Sequence, residues 1–305
     1  MIDYLLIKKK LLDKLSEKNV ETDRSMAKDT TFRCGGNAAL FAEADTLEEL
    51  MYTLSVIKAF GAQWMILGNG SNVLFTDKGY DGVVIKLGKE FSEVVIEENR
   101  ITAGAAVLLS YISKLAAAKS LTGFEFAGGI PGSLGGGVFM NAGAYGGSMK
   151  DCLRSVTAVT PDGEIYKYDA EELELDYRYS RFMESGEVII QAEIELSPGN
   201  EEEIKALMED LTRQRREKQP LSYPSAGSFF KRPKGYFAGA LIEQAGLKGF
   251  SVGGAGVSEL HAGFLINKGG ASASDVLALS KYVQDTVYDK FGVHLEPEVR
   301  IMGDE

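Results

Sequence analysis

The sequence predicts an α+β protein, and three observations carry that prediction. Helical and extended patterns are mixed along the chain without the regular strand–helix alternation of a doubly wound sheet. Pro161-Asp162-Gly163 separates two β-patterned runs, the signal of an antiparallel hairpin. The stretch Gly123 to Gly147, GFEFAGGIPGSLGGGVFMNAGAYGG, places ten glycines in twenty-five residues. Glycine loses more backbone freedom on folding than any other residue, so this density weakens a domain unless backbone must approach something closely. Ile130, Leu134, Val138, Phe139 and Met140 punctuate the run, which argues against a flexible linker. With almost no charged side chains, the segment would hold an anion through backbone N–H groups. It reads as a nest for the phosphates of a large cofactor.

The elements follow in order. MIDYLLIKKKLLDKL is an amphipathic helix interrupted by Lys8, Lys9 and Lys10, without the apolar core of a signal peptide. Thr46-Leu47-Glu48-Glu49 matches a capping box, and the helix it opens runs to about Gly61. Strands are expected at Trp64 to Leu67, Val73 to Phe75 and Val83 to Leu87, with the loop Gly68-Asn69-Gly70-Ser71-Asn72 between the first two. A helix over 107–119 leads into the glycine segment; the hairpin Val156–Thr160 and Glu164–Tyr168 and a strand Val188 to Leu196 come after it.

A boundary falls at Ser197-Pro198-Gly199-Asn200. Asn200 suits an N-cap, and Glu201, Glu202 and Glu203 suit the positive end of the following helix. Its apolar stripe Ile204, Leu207, Met208, Leu211 continues into Arg215 and Lys218, either as snorkelling cations that complement the dipole or as groups reaching an anionic site. Beyond Pro220 come the loop Tyr223 to Phe230, a helix Ala238 to Ala245, a strand Phe264 to Asn267 and a helix capped by Ser274 or Asp275. A closing strand Val293 to Ile301 would set Glu296 and Glu298 on one face. A second domain is therefore expected from about residue 199 to the C-terminus.

At 305 residues, 45% hydrophobic and 25% charged, the chain suits a soluble globular protein of two or three domains. The formal charge of -11 argues against nucleic-acid binding, although a local basic pocket could still take an anionic substrate. Cys34 and Cys152 lack zinc-like spacing and read as buried free thiols of a reducing cytosol. No run of about eighteen apolar residues exists to span a membrane, so the expected location is cytoplasmic, with no membrane insertion and no metal.

Four constellations could do chemistry. Gly68–Asn72 is an ordinary turn by itself, but two glycine loops together can clamp both phosphates of a dinucleotide; no G-x-G-x-x-G between strand and helix supports a Rossmann site. Ser228, in Ser225-Ala226-Gly227-Ser228-Phe229-Phe230-Lys231-Arg232-Pro233, has no G-x-S-x-G context for acyl chemistry, and only His261 and His294 could complete a triad. Its hydroxyl could donate a proton to carbon, with Lys231 and Arg232 favouring the oxyanion left behind. In Tyr177-Arg178-Tyr179-Ser180-Arg181-Phe182, Arg178 and Arg181 are either surface charges on a turn or guanidinium groups for a carboxylate or phosphate. Glu296 and Glu298, in Leu-Glu-Pro-Glu-Val-Arg, read as salt-bridge partners of Arg300, less readily so for Glu298.

Together these segments resemble the UDP-N-acetylenolpyruvoylglucosamine reductases, also called UDP-N-acetylmuramate dehydrogenases. The motifs run in order: Thr31-Phe32-Arg33-Cys34-Gly35-Gly36, GNGSN, GGIPGSLGGGVFMNAGAYGG, YRYSRF, Arg215-Arg216-Glu217-Lys218-Gln219-Pro220, SAGSFFKRP, LIEQAGLKG and LEPEVR. They cover nearly everything from Thr31 to Ile301. The resemblance implies a two-part FAD domain of the vanillyl-alcohol-oxidase (PCMH) type, residues 1–75 and 76–198. A C-terminal α+β substrate-binding domain follows, 199–305, whose last strand returns toward the flavin.

It further implies that NADPH reduces non-covalent FAD and that UDP-N-acetylenolpyruvoylglucosamine is reduced to UDP-N-acetylmuramate for peptidoglycan. Carried over by position, Ser228 is the proton donor, and Arg178 and Glu298 hold and polarise the substrate carboxylate. Arg33, Gly68, Asn69, Gly70, Ser71, Asn72, Gly128, Gly129, Ile130, Pro131, Gly132, Ser133, Gly136, Asn141 and Ala142 fall to the cofactor. Tyr177, Arg215, Lys218, Lys231 and His261 fall to the substrate, and Asn267 lines the same site. Only Met183 to Glu187 separates YRYSRF from the next strand, so the chain resembles the family's shorter form, without a tyrosine-bearing lid loop. Cys34 and Arg232 depart from many relatives without removing a catalytic group. The alternative is an FAD oxidase or dehydrogenase of the same fold acting on an alcohol, where a flavin tether would most plausibly use Cys34. The oligomeric state is left open.

Overall fold

The computed structural model describes residues 2–303. The chain forms two compact units, each assembled from separate stretches: Met1–Thr22, Leu40–Asn69 and Gly82–Gln214 in one, and Asp23–Ala39, Gly70–Asp81 and Arg215–Glu305 in the other.

The first unit buries a core that includes Ile7, Leu50, Ile85, Ile101, Leu109, Val156 and Phe182. Its main sheet has five strands, in the order Ile165–Asp169, Leu153–Val159, Val188–Glu195, Arg100–Gly104, Val94–Glu97, and the four pairings are antiparallel. The hairpin forms as its turn chemistry requires. Gly163, at φ +87°, closes the turn by donating from its N–H to the Thr160 carbonyl at 2.9 Å.

A second sheet contains Trp64–Ile66 running parallel to Val83–Ile85. The helix Leu47–Phe60 is capped at both predicted ends, by the Thr46 hydroxyl accepting from Glu49 N–H and by Gly61 in the left-handed conformation. A helix Leu109–Ala118 precedes the glycine segment, which itself folds into a short helix, Leu134–Phe139, and a tight hairpin.

The second unit has its own core of Phe32, Leu74, Phe229, Ile242, Val276 and Val283, among others. A four-stranded sheet runs Ser225–Ser228, Phe264–Asn267, Ala255–Val257, Ser251–Val252, against which the helix Ala273–Phe291 packs. The last strand, Arg300–Met302, lies parallel to Val73–Phe75, the strand that directly follows the Gly68–Asn72 loop.

The compact units are built from separate stretches because residues 23–39 and 70–81 are bonded into the C-terminal part. Thr31 Oγ1 donates to the Ser225 carbonyl at 2.7 Å and Asn267 Nδ2 to that of Phe32 at 3.1 Å. Asp77 accepts from the Ala273 and Ser274 N–H groups at 2.8 Å.

Three expectations about single elements need correction. The last helix is capped by Ser272 rather than Ser274 or Asp275. Asp275 is the third residue of the box and returns a bond to the Ser272 N–H, while Ser274 Oγ donates to Asp77. The closing strand is confined to Arg300–Met302; before it, residues 293–299 make one isolated antiparallel bridge, Pro297 opposite Phe230. Glu296 pairs with Lys231. Along the helix Glu201–Lys218 only Ile204 is buried; Leu207 is 45% exposed, Arg215 half-buried and Lys218 exposed, so the stripe is narrower than its spacing suggests.

Candidate active site

The two glycine loops meet within the first unit. Asn69 Nδ2 donates to the Pro131 carbonyl at 2.6 Å, and a Cβ at Gly68 would overlap the Ser133 hydroxyl. Gly68 is therefore a contact glycine, which brings the backbones of the two loops within reach of one ligand. The glycine segment is pinned to the preceding loop by three backbone bonds: Leu109 N–H to Gly132, Leu134 N–H to Val107 and Gly135 N–H to Ala105. Not all its glycines face a ligand. A Cβ at Gly147 would press on the Phe126 ring, so this one serves packing.

Beyond Ser133, Asn141 is buried and its carboxamide is engaged at both ends by backbone, Nδ2 donating to Asp176 and Oδ1 accepting from Lys150 N–H. The sequence reading gives Asn141 to the cofactor; the structure commits it to the protein.

Arg178 occupies a tight turn in which Asp176 and Tyr179 exchange two backbone hydrogen bonds, 3.2 and 3.1 Å. It takes φ +55°, and its guanidinium reaches toward the Gly143 carbonyl at 3.4 and 3.5 Å. Tyr177 is exposed beside it, its ring centroid 5.4 Å from the guanidinium carbon. Arg181 has a different life. It lies 4.1 Å over the Tyr168 ring and 3.8 Å from Glu187, which also accepts from the Tyr168 hydroxyl. Of the two arginines, Arg181 is a packing residue.

Ser228 and Glu298 are brought together in the second unit. Ser228 ends the strand Ser225–Ser228, paired with Phe264 across an irregularity at Gly227, which has φ +79°. Its side chain is exposed while Phe229 is fully buried and anchors the chain. Phe229 N–H donates to Gly263, and the Phe229 carbonyl accepts from Glu298 N–H at 2.8 Å. Glu298 is gripped on its other side by Asn72, whose Nδ2 donates to the Glu298 carbonyl at 3.1 Å. Asn72 thus has a bond to Glu298 that its place in a cofactor loop does not suggest. Gly70 fits against Asp29–Thr30, and the buried Thr30 hydroxyl beside it has no partner of its own.

The remaining candidates divide. Lys231 is half-buried and paired with Glu296. His261 accepts at Nδ1 from Gly263 N–H at 3.1 Å and packs edge-to-face on Phe264. Burial lowers its pKa from the usual 6.5, so it braces the strand beside Ser228 as a neutral ring. Asn267, expected to line the site, is buried with its Oδ1 accepting from Gly269 and Ala271 N–H and its Nδ2 donating to Phe32. It holds the segment that carries the exposed Arg33, itself at φ +55°. Arg232 lies 3.9 Å over the Phe237 ring. Cys34 is 4% exposed in the core and burial pushes its thiol up to about 12, which does not suit a flavin tether. Among the described residues no helix is long and apolar enough to cross a membrane.

The positioning roles of Asn72, Asn141 and Asn267 were missed in the sequence because each depends on a carbonyl distant along the chain. Their one sequence signal was that all three stand beside glycine loops or strand ends.

Comparison with known proteins gives a consistent result. Residues 38–169 match the model of an FAD binding domain, and residues 219–302 that of the UDP-N-acetylenolpyruvoylglucosamine reductase C-terminal domain. A UDP-N-acetylenolpyruvoylglucosamine reductase of Clostridioides difficile is 47% identical over 295 residues, 97% of each chain. One from Agathobacter rectalis is 48% identical over 97% of this chain and 98% of its own. Among solved structures, the UDP-N-acetylenolpyruvylglucosamine reductase of Thermus caldophilus superposes with a TM-score of 0.82 at 37% identity, covering 93% of this chain and 99% of that one.

Proposed function

The chain belongs to the UDP-N-acetylenolpyruvoylglucosamine reductase family, and from that premise we propose the roles its own residues take in the reaction. The protein is a flavin-dependent oxidoreductase of peptidoglycan precursor synthesis. It reduces UDP-N-acetylenolpyruvoylglucosamine to UDP-N-acetylmuramate with FAD as cofactor and NADPH as hydride donor.

The residues present fit FAD: two contacting glycine loops, joined by the Asn69–Pro131 bond, and a glycine segment nearly free of charged side chains. In our reading Gly68–Ser71 and Gly128–Ser133, with Gly136 and Ala142, offer backbone and hydroxyl groups to the cofactor, and Arg33 offers a guanidinium. When bound, FAD supplies hydride transfer between NADPH and the enolpyruvyl double bond.

Ser228 donates the proton that the neighbouring carbon takes up. Arg178 holds the substrate carboxylate and stabilises the charge that develops there as the double bond accepts electrons. Glu298 polarises the same group. The observation that carries this reading is the Phe229 carbonyl bond to Glu298 N–H, which keeps the Ser228 and Glu298 positions on adjacent stretches of backbone. Orientation of this kind is a major part of what a protein adds to a cofactor's chemistry. Tyr177, Arg215, Lys218 and Lys231 are proposed as substrate contacts, with His261 supporting the strand beside them. In our reading residues 1–75 and 76–198 serve the cofactor, apart from Tyr177 and Arg178, which face the substrate, and 199–305 serve the substrate. A cytoplasmic location agrees with two buried free thiols.

Anaerobic half-reactions test the proposal. NADPH should bleach the yellow protein, and UDP-N-acetylenolpyruvoylglucosamine should restore the colour without oxygen. Reoxidation by oxygen alone, with none by the enolpyruvyl compound, would move the protein to the alcohol-oxidising alternative.

A further inference from the structure

Asn141 sits in the glycine-rich segment, yet its side chain serves another part of the molecule. It is 6% exposed, and its two ends are held in the one orientation that satisfies both neighbours: Nδ2 toward the Asp176 carbonyl at 2.8 Å, Oδ1 toward the Lys150 N–H at 3.0 Å. Its own backbone has φ +41°, a conformation asparagine tolerates better than most residues.

Asp176 opens the turn that carries Arg178. Three residues of the glycine segment hold three residues of that turn region. Phe139 accepts from the fully buried Ser180 hydroxyl at 2.7 Å, Asn141 donates to Asp176, and the Gly143 carbonyl faces the Arg178 guanidinium. Arg178 itself is at φ +55°, which persists in an arginine only where the surroundings over-determine it.

We propose that Asn141 is a positioning residue for Arg178 and not a cofactor ligand: it fixes the entry to the turn, and with Ser180 holds the guanidinium at the place where the substrate carboxylate is received. The inference rests on the reading of Arg178 as the carboxylate-holding residue.

The test uses flavin-loaded full-length protein. Asn141→Asp keeps size and the bond from Lys150 but removes the donor to Asp176; Ser180→Ala removes the second clasp with little change in volume. The expected result is unchanged FAD content and unchanged reduction by NADPH, with anaerobic reoxidation by the enolpyruvyl substrate slowed about tenfold to a hundredfold, the range for a displaced catalytic group. In an Arg178→Ala background the same substitutions should cause no further slowing, a non-additivity that general destabilisation would not produce.

Loss of FAD from folded Asn141→Asp protein, or slowing that multiplies fully with Arg178→Ala, would overturn the inference. So would wild-type reoxidation in the Asn141→Asp protein. If Asn141→Asp does not fold, as circular dichroism would show, Ser180→Ala carries the same comparison with the same outcomes. Should Arg178→Ala alone leave reoxidation unaffected, the reading of Arg178 falls, and that result is distinct from failure of the positioning role.

Discussion

Arg178 and Arg181 stand three residues apart in one motif, and residue type and spacing alone do not rank them; the family resemblance singles out Arg178. The structure separates them through partners contributed by distant segments: Arg181 is stacked on Tyr168, whereas Arg178 sits in a turn held by the glycine segment. Their substitutions should therefore diverge. Arg178→Ala is expected to lower kcat/KM for the enolpyruvyl substrate by about a hundredfold or more, as loss of a group opposite developing charge does, with little change in Tm. Arg181→Ala should lower Tm and leave the rate per bound flavin close to wild type; equal effects in both assays would contradict the assignment. Cys34 gives a second contrast at this scale. With its thiol raised to about 12 by burial, it stays protonated and shielded at pH 8. A thiol reagent should leave the native protein unlabelled at pH 8, and denaturation should release all the flavin into solution; flavin retained on the precipitated chain would show a tether.

Elements whose ends are written in local chemistry were legible. Thr46 and Gly61 bound the helix Leu47–Phe60, and the strand Phe264–Asn267 has the limits its pattern suggests. Legibility failed where a neighbouring element decides. Asp275 looks like an N-cap but serves Ser272, because Asp77 has already taken the Ala273 and Ser274 N–H groups. Residues 293–299 alternate like a strand, but their pairing stops at one isolated bridge, Pro297 opposite Phe230, closed by Lys231 N–H to Glu296 and Glu298 N–H to Phe229. The glycines show the same limit: the sequence counts them but does not say which approach a ligand and which approach protein. Gly70 packs on protein at the side a Cβ would occupy, whatever its N–H offers a ligand, since at φ +61° an added Cβ would overlap the Asp29 carbonyl. Gly70→Ala should cost about 1–3 kcal/mol, the range for overpacking plus an unfavourable backbone. Chemical denaturation would measure it, and a change below about 0.5 kcal/mol would be at odds with the close contact.

For the whole molecule, the family and its chemistry were readable from ordered motifs, but the partition into compact units was not. Residues 23–39 and 70–81 are far in sequence from the C-terminal part, and only long-range contacts assign them to it: the Thr31–Ser225 and Asn72–Glu298 hydrogen bonds, the pairing of Val73–Phe75 with Arg300–Met302, and the core shared by Phe32 and Leu74. A cut at residue 198 therefore removes partners from the core of Phe32 and Leu74. The fragment 1–198 is expected to lose cooperative unfolding in those segments and to bind FAD far more weakly than the full chain; a fragment that binds FAD as tightly as the intact protein would contradict this.

In the proposed reaction Ser228 donates a proton to carbon and takes no part in the flavin's exchange with NADPH. Ser228→Ala, measured by stopped flow in each half-reaction under anaerobic conditions, tests that division most directly. Reduction by NADPH should stay close to wild type while reoxidation by UDP-N-acetylenolpyruvoylglucosamine slows by about a hundredfold or more, the low end for a lost general acid. Equal slowing of both half-reactions, or none in reoxidation, would contradict it.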